Sequence, residues 1–216
     1  MFDLKDLNKI FIDFDGVIVN SNQFKENAIQ STIFELYGEK EITLKAINFF
    51  NENAGISRRI KLSLFFKDDQ VNKIMKIYSE KCNLFFNDAK PTKGVKKFLE
   101  YIKKENKNAK IYILSGGEKK EIKFFLEKNY LFSFFEDILS SEKSKIEHLE
   151  SKKASKNDIF IGDSKNDLKA ALSLGIKFIL FEEYKSLKSF PEAKIISKND
   201  LFKTQNFESL LNTFLL

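Results

Sequence analysis

Short apolar runs alternate with segments of helical periodicity along most of the chain. The first run, Lys9-Ile10-Phe11-Ile12, is rich in β-forming residues and leads into two acids and a glycine, a pattern typical of a buried strand. Later runs of the same kind predict three further strands, at residues 110–114, 158–161 and 177–181.

Apolar residues spaced three and four apart separate these strands, as in Val95, Phe98, Leu99 and Ile102. This spacing predicts helices over residues 94–104, 118–129, 145–153 and 166–174. Strands that alternate with helices indicate an α/β fold, and we expect a doubly wound parallel sheet of Rossmann-like type.

The pattern changes between the first strand and Pro91, where helical periodicity continues without a convincing strand. Helices are predicted there over residues 23–37, 42–53, 57–66 and 68–86. We therefore expect residues 20–88 to form an inserted all-helical cap over the carboxyl ends of the strands, and residues 1–19 and 89–216 to form the core. In the tail, the pattern predicts an edge strand at 194–197 and a closing helix over 200–216.

Composition and charge narrow the class of protein. The chain has 216 residues and a formal net charge of +6, but its charges are scattered, so we expect no nucleic-acid partner. The single cysteine, Cys82, has no partner for a disulfide or a cysteine metal cage, which suits a reducing cytoplasm. No apolar stretch approaches the length of a membrane span, so we expect no membrane association.

Asp13 and Asp15 follow the first strand and flank Phe14, so their carboxyl groups are expected to point together toward the strand's exit. Hard oxygen ligands at this density suit Mg²⁺. An Asp-Gly turn after a strand is the competing interpretation of this motif alone.

A second acidic motif, Gly162-Asp163-Ser164-Lys165-Asn166-Asp167, follows the strand at 158–161 and opens a helix. Asp163 stands at a strand end, where a third metal ligand would be needed. Helix capping explains Asp167 well, but it explains the strand-end acids poorly.

Two further segments supply an anion site and a cation. Ser115-Gly116-Gly117 ends a strand just before a helix, where accessible backbone N–H groups and a hydroxyl could hold a phosphate. Lys143 and Lys145 are both candidates for the fixed cation that a carboxylate-based phosphoryl-transfer site needs. The single histidine, His148, is interpreted as a surface residue.

In this order the motifs resemble those of the haloacid dehalogenase superfamily, and they span nearly the whole core. Asp13-Phe14-Asp15-Gly16-Val17 is similar to its first motif, Ser115 to its second, the Lys143/Lys145 segment to its third and the segment 162–167 to its fourth. Many members carry a proline where this chain has Glu142. The helical insertion is similar to the cap of the phosphoglycolate phosphatase and β-phosphoglucomutase branch, and Gly55-Ile56-Ser57-Arg58-Arg59 resembles its specificity loop.

The resemblance implies a role for each residue. Asp13 would attack phosphorus to give an aspartyl-phosphate, and Asp15 would act as general acid and base through a carboxyl group of raised proton affinity. The Asp13 side chain, the Asp15 carbonyl and Asp163 would hold Mg²⁺, with Asp167 in support.

Ser115 and Gly116 would bind the phosphate, and Lys145, with Lys143 as the alternative, would supply the cation. Arg58 would reach an anionic or hydroxylated leaving group, although an exposed helix arginine is an equally good interpretation.

These roles predict a magnesium-dependent phosphatase that acts on a small phosphorylated metabolite, such as a sugar phosphate or a phosphoglycolate-like compound. A phosphomutase shares every motif and is the alternative. A phospho-accepting signalling domain is more remote, because such a domain carries its acceptor aspartate on a middle strand and needs no cap.

Overall fold

The structure is a computed structural model, and it describes residues 6–184 and 201–215. Its strands form a single parallel sheet, with the order β3-β2-β1-β4-β5-β6. The strands are β1 (Lys9–Ile12), β2 (Lys110–Leu114), β3 (Asp137–Leu139), β4 (Ile159–Gly162), β5 (Lys177–Phe181) and β6 (Leu201–Thr204). The expected α/β fold with a parallel sheet is therefore confirmed.

The strand order reverses between β1 and β4. From β1 the chain builds outward through β2 and β3, and it then returns to the other side of β1 to build β4, β5 and β6. A crevice opens at such a switch point beyond the carboxyl ends of the strands, and this is where α/β sheets bind ligands. Ile12 of β1 pairs in register with Ile161 of β4, so the residues that follow these two strands enter the crevice side by side.

Helices cover the sheet and connect its strands. Those after the first 90 residues are α5 (Val95–Glu105), α6 (Lys119–Lys128), α7 (Lys145–Ser151), α8 (Lys165–Ser173) and α9 (Phe207–Leu215). The strands between them are almost continuously apolar and buried, because helices and sheet exclude water from both faces.

Four helices without an intervening strand lie between β1 and Pro91, as the sequence predicts. They are α1 (Asn22–Tyr37), α2 (Glu41–Glu52), α3 (Arg58–Ser63) and α4 (Asp68–Asp88), and we call them the helical insertion. The domain division at residues 20 and 88 stays a prediction. No helix in the described ranges combines the length and the apolar character that crossing a bilayer requires.

The secondary structure differs from the sequence pattern in two places. The pattern predicts no strand at β3, because three residues are too few to show a period. The proposed closing helix over 200–216 begins only at Phe207, since residues 201–204 pair with β5 as a strand and the Asn206 side chain accepts from Ser209 N–H at the helix start. The predicted strand at 194–197 lies outside the described residues.

An aromatic cluster joins the helical insertion to the sheet. Phe14, just beyond β1, has its ring centroid 5.3 Å from that of Phe125 on α6 and 5.6 Å from that of Phe86 on α4. All three side chains are fully buried, and the last two also contact each other edge to face at 5.8 Å. Such rings contribute both burial and ring–ring attraction to the free energy of folding.

The neighbouring phenylalanines of α6 provide a test of this cluster. Phe125→Ala is expected to lower the free energy of unfolding by about 3–5 kcal/mol, because it leaves a cavity among buried rings. Phe124→Ala removes the same atoms from a side chain that is 42% exposed, and it should cost less than about 1 kcal/mol in urea unfolding. Equal losses in the two variants would contradict the role assigned to the cluster.

Candidate active site

Acidic and hydroxyl side chains meet in the crevice at the switch point. Asp13 follows β1, Ser115 follows β2 and Asp163 follows β4, so three adjacent strands deliver one side chain each. The backbone holds the first two rigidly, because Asp13 N–H donates to the Ile161 carbonyl at 2.9 Å and Ser115 N–H donates to the Leu139 carbonyl at 2.9 Å.

Three carboxylates form a buried cluster within this crevice. One oxygen atom from each of Asp13, Asp163 and Asp167 lies within 4.8 Å of the others, and all three residues are buried. Burial, and then repulsion from Asp167, Asp163 and Asp15, raises the pKa of Asp13 well above its ordinary value, although Lys145 opposes this shift. Such a cluster calls for cationic compensation.

Lys145 supplies part of that compensation from the first residue of α7. Its Nζ lies 2.9 Å from Asp13 Oδ1 and also donates to Asp167 Oδ1. Burial alone would lower the pKa of this lysine, but the two carboxylates outweigh it and the pKa is raised. Lys143, the alternative, is exposed and lies in the loop before the helix.

Asp167 also has a structural task at the start of α8. Its Oδ2 accepts hydrogen bonds from Ser164 N–H at 3.0 Å and from Ser164 Oγ at 2.6 Å, which forms a capping box. The capping interpretation of Asp167 is thus correct, and the same carboxylate also holds Lys145. A Cβ at Gly162 would lie 2.6 Å from that of Asp167, so only glycine lets the two segments approach.

Asp15 faces a different environment from that of the buried cluster. Lys25 and Ser21, both from the start of the helical insertion, donate to its Oδ1. Burial would raise the pKa of Asp15, but the charge and hydrogen bond of Lys25 and the hydroxyl of Ser21 outweigh it, so the pKa is lowered. The expectation of a raised proton affinity at Asp15 is therefore wrong for this arrangement of its neighbours.

The turn after β2 brings the insertion close to the sheet. Ser115 Oγ accepts from Gly117 N–H at 3.0 Å, and a Cβ at Gly117 would lie 3.7 Å from Asp15 Oδ2. A Cβ at Gly116 would lie only 2.6 Å from the Gly55 carbonyl oxygen, so the loop after α2 rests directly on this turn. The Asn166 amide also donates to the Ala54 carbonyl at 2.5 Å, from the opposite side of the crevice.

Arg58 is buried and not an exposed helix arginine. Both terminal nitrogens donate to the Glu121 carboxylate on α6, at 2.8 and 2.6 Å, and the guanidinium lies 4.8 Å from the centroid of the Tyr78 ring. This pair links the insertion to the sheet-covering helices. Contact between Arg58 and a substrate stays a prediction.

His148 is likewise buried, contrary to the sequence-based interpretation. Its Nε2 lies 2.8 Å from the Ser140 carbonyl oxygen and 3.6 Å from the carboxylate of Glu142. The sequence gives no signal of this contact. Ser140 lies in the loop before the helix, and only the tertiary fold brings its carbonyl next to His148.

A cavity of about 620 Å³, counted with its solvent-filled mouth, connects these groups. The sheet contributes Asp13, Asp15, Ser115, Gly116, Gly117 and Asp163 to its wall, and the insertion contributes Asn22, Lys25, Arg58, Lys61 and Tyr78 among others.

Several of the residues that the insertion places there went unnoticed in the sequence. Asn22 Nδ2 donates to Asp163 Oδ2 at 2.8 Å and to the Tyr184 carbonyl at 2.8 Å, and Lys25 pairs with Asp15. Neither belongs to a recognisable motif. Lys61 also went unnoticed, but the sequence did hold a signal for it. Its spacing of three residues from Arg58 places two cations on one helix face.

Comparison with known proteins agrees with the geometry. No curated protein sequence matched the chain significantly, whereas many solved structures share its fold. One is described as a predicted phosphoglycolate phosphatase from Haemophilus somnus 129PT, with a TM-score of 0.72 at 17% identity over 96% of this chain and 98% of that one. Another is a predicted phosphatase from Clostridium acetobutylicum, with a TM-score of 0.72 at 18% identity over 97% and 98%.

A third neighbour is a mutant of CbbY from Rhodobacter sphaeroides in complex with xylulose 1,5-bisphosphate. Its TM-score is 0.70 at 12% identity, over 94% of this chain and 96% of that one. At such identities these structures show the shared fold alone. The family model of haloacid dehalogenase-like hydrolases matches residues 10–181, which include all four predicted motifs. The chain therefore belongs to the haloacid dehalogenase-like hydrolase family.

Proposed function

We propose that this hydrolase is a magnesium-dependent phosphatase that cleaves a small phosphate monoester through an aspartyl-phosphate on Asp13. The observation that carries the proposal is the convergence of Asp13, Asp163 and Asp167 on one buried point beside Lys145. A structural turn would not need three acids there, whereas phosphoryl transfer needs both a nucleophile and concentrated positive charge.

The donor set fits a divalent cation that prefers oxygen ligands. Three carboxylates against one ammonium leave two formal negative charges in a buried space, which a single Mg²⁺ would neutralise. Asp13, the Asp15 backbone carbonyl and Asp163 would hold the ion, since Asp167 is already engaged by Lys145 and Ser164. When bound, the ion would offset the charge of the phosphate and align it.

Asp13 is placed to act as the nucleophile. Hydrogen bonds from Phe14 N–H at 2.8 Å and from Lys145 fix its Oδ1. A carboxylate oxygen of Asp13 would attack phosphorus as the ester P–O bond breaks, and water would then cleave the aspartyl-phosphate to release inorganic phosphate and restore the carboxylate. Ser115 and the N–H groups of the glycine turn would hold the phosphate oxygens.

Asp15 would move protons in both steps. In the present arrangement Lys25 and Ser21 favour its carboxylate, which is the form that accepts a proton from the attacking water. An incoming phosphate brings negative charge, which raises the proton affinity of a neighbouring carboxylate. Asp15 would then carry the proton that the leaving alcohol needs.

The named neighbours support a phosphorylated small molecule as substrate. One is described as a predicted phosphoglycolate phosphatase, and the CbbY mutant is bound to a sugar bisphosphate. The same side chains would serve a phosphomutase, in which a second substrate hydroxyl takes the place of water. Release of free phosphate distinguishes the two.

The proposed mechanism predicts the outcome of a turnover assay. With Mg²⁺ and a panel of phosphate monoesters, the protein should release inorganic phosphate from at least one, and Asp13→Asn should lower that rate by at least ~10³-fold because the amide is a poor nucleophile. EDTA should abolish release and Mg²⁺ should restore it. Full activity of Asp13→Asn would exclude Asp13 as nucleophile, and transfer without free phosphate would favour the mutase.

The two lysines of the third motif give a further prediction. Lys145→Met should reduce kcat by about 10²-fold or more, because it removes the buried cation that contacts Asp13. Lys143→Met, the matched control, should retain nearly the wild-type rate since its side chain is exposed. The reverse result would assign the catalytic role to Lys143, and far-UV circular dichroism of both variants verifies that each is folded.

A further inference from the structure

Three cationic side chains from the helical insertion line the cavity. Lys25 pairs with Asp15, and Arg58 makes a bidentate pair with Glu121. Lys61 is the third, and in the described part of the chain no carboxylate lies within 4 Å of its Nζ. Two of these charges are thus neutralised within the protein, and the third is not.

Lys61 is nevertheless nearly as buried as Arg58 and more buried than Lys25, with only 5% of its surface exposed. Its Nζ donates to the Phe50 carbonyl at 3.0 Å and lies 3.6 Å from the centroid of the Phe50 ring. Burial, and then the nearby charges of Arg58 and Lys25, lower the pKa of Lys61 to about 7, with only Asp15 opposing them. A buried ammonium among cations is costly unless an anion completes it.

One neighbouring carbonyl does not satisfy this group. An ammonium has three N–H donors, and the Phe50 carbonyl accepts from one of them. The Phe50 ring attracts the positive charge but accepts no conventional hydrogen bond. Lys61 also lies on α3 one turn from Arg58, so the residues that flank it are held by the Arg58–Glu121 pair. The ammonium is therefore fixed at the wall of the same cavity that Asp13 lines.

We propose that Lys61 binds a second anionic group, a carboxylate or a phosphate, on the leaving part of the substrate, and that Arg58 positions α3 through Glu121. The proposal rests on the proposed phosphatase function and specifies its substrate class. A phosphate ester whose alcohol carries its own negative charge would place one anion at Asp13 and the other at Lys61. An uncharged alcohol would leave the Lys61 ammonium buried without an anion.

This assignment differs from the prediction made for Arg58. A guanidinium whose two terminal nitrogens are already bound to a buried carboxylate would have to abandon that carboxylate to reach a ligand, which strands a buried charge. Lys61 loses no acidic partner when it binds an anion. Arg58 and Lys61 carry the same charge. They differ in that a carboxylate of the protein already pairs with Arg58.

The test compares 2-phosphoglycolate with ethyl phosphate, which differ only by a carboxylate in place of a methyl group. Wild-type protein with Mg²⁺ should favour the first by about 10- to 100-fold in kcat/KM, the value of one charge-assisted hydrogen bond. Lys61→Met should remove this preference and leave ethyl phosphate within about 2-fold of wild type. Xylulose 1,5-bisphosphate, tested alongside, shows whether a phosphate serves better than a carboxylate as the second anion.

Two controls distinguish failure of the Lys61 anion site from failure of the proposed phosphatase function. Lys73→Met, an exposed lysine on α4, should leave both substrates unchanged. Binding to the Asp13→Asn protein, measured by calorimetry, tests Lys61 even if none of the esters is turned over. Absence of turnover with every ester would refute the phosphatase. If loss of Lys61 affects ethyl phosphate as much as the two esters that carry a second anionic group, the anion site is refuted.

Folding of the variants does not decide the outcome. Lys61→Gln provides a second neutral side chain, and thermal unfolding of each variant checks its integrity. The comparison of esters in the wild-type protein tests the proposal without any variant. If the protein binds neither 2-phosphoglycolate nor the bisphosphate more tightly than ethyl phosphate, there is no second anion site at Lys61.

Discussion

The ion pairs of Lys145 are the constraint on which the site depends. One ammonium contacts both Asp13 and Asp167 in a space from which water is largely excluded, so the two carboxylates share a single compensating charge. The desolvation cost of burying such groups is large, and only close pairing offsets it. Asp163, the third acid, is held by the Asn22 amide, so a residue of the helical insertion helps to fix a group on the sheet.

The sheet topology explains why these charges meet at all. Because the strand order reverses between the parallel strands β1 and β4, residues about 150 positions apart leave adjacent strands at the same edge. The helical insertion then covers that edge with a separate set of charges, of which Lys25 already contacts Asp15. Under the proposed function, chemistry would be carried by the sheet side and selectivity by the insertion side, which are different parts of the chain.

The sequence allowed the parallel sheet and the strand-end residues to be predicted, because both depend on local features. Buried strands such as β4 are apolar runs, and Asp163 stands where such a run stops. β3 and β6 escaped prediction since their pairing with longer strands, and not their own composition, makes them strands. Contacts of His148 and Arg58 escaped for the same reason: Ser140 and Glu121 reach them only through the tertiary fold.

The approach of the Gly55 carbonyl to the turn after β2 has a consequence for how related enzymes can diverge. A side chain at position 116 would collide with that backbone oxygen, so this side of the crevice is closed to variation as long as the insertion rests there. Variation is freer at a cavity-lining residue of the insertion such as Lys61, whose ammonium contacts Phe50 and not the residues at the strand ends. The lining of the cavity can thus change on the insertion side while the residues at the strand ends stay the same.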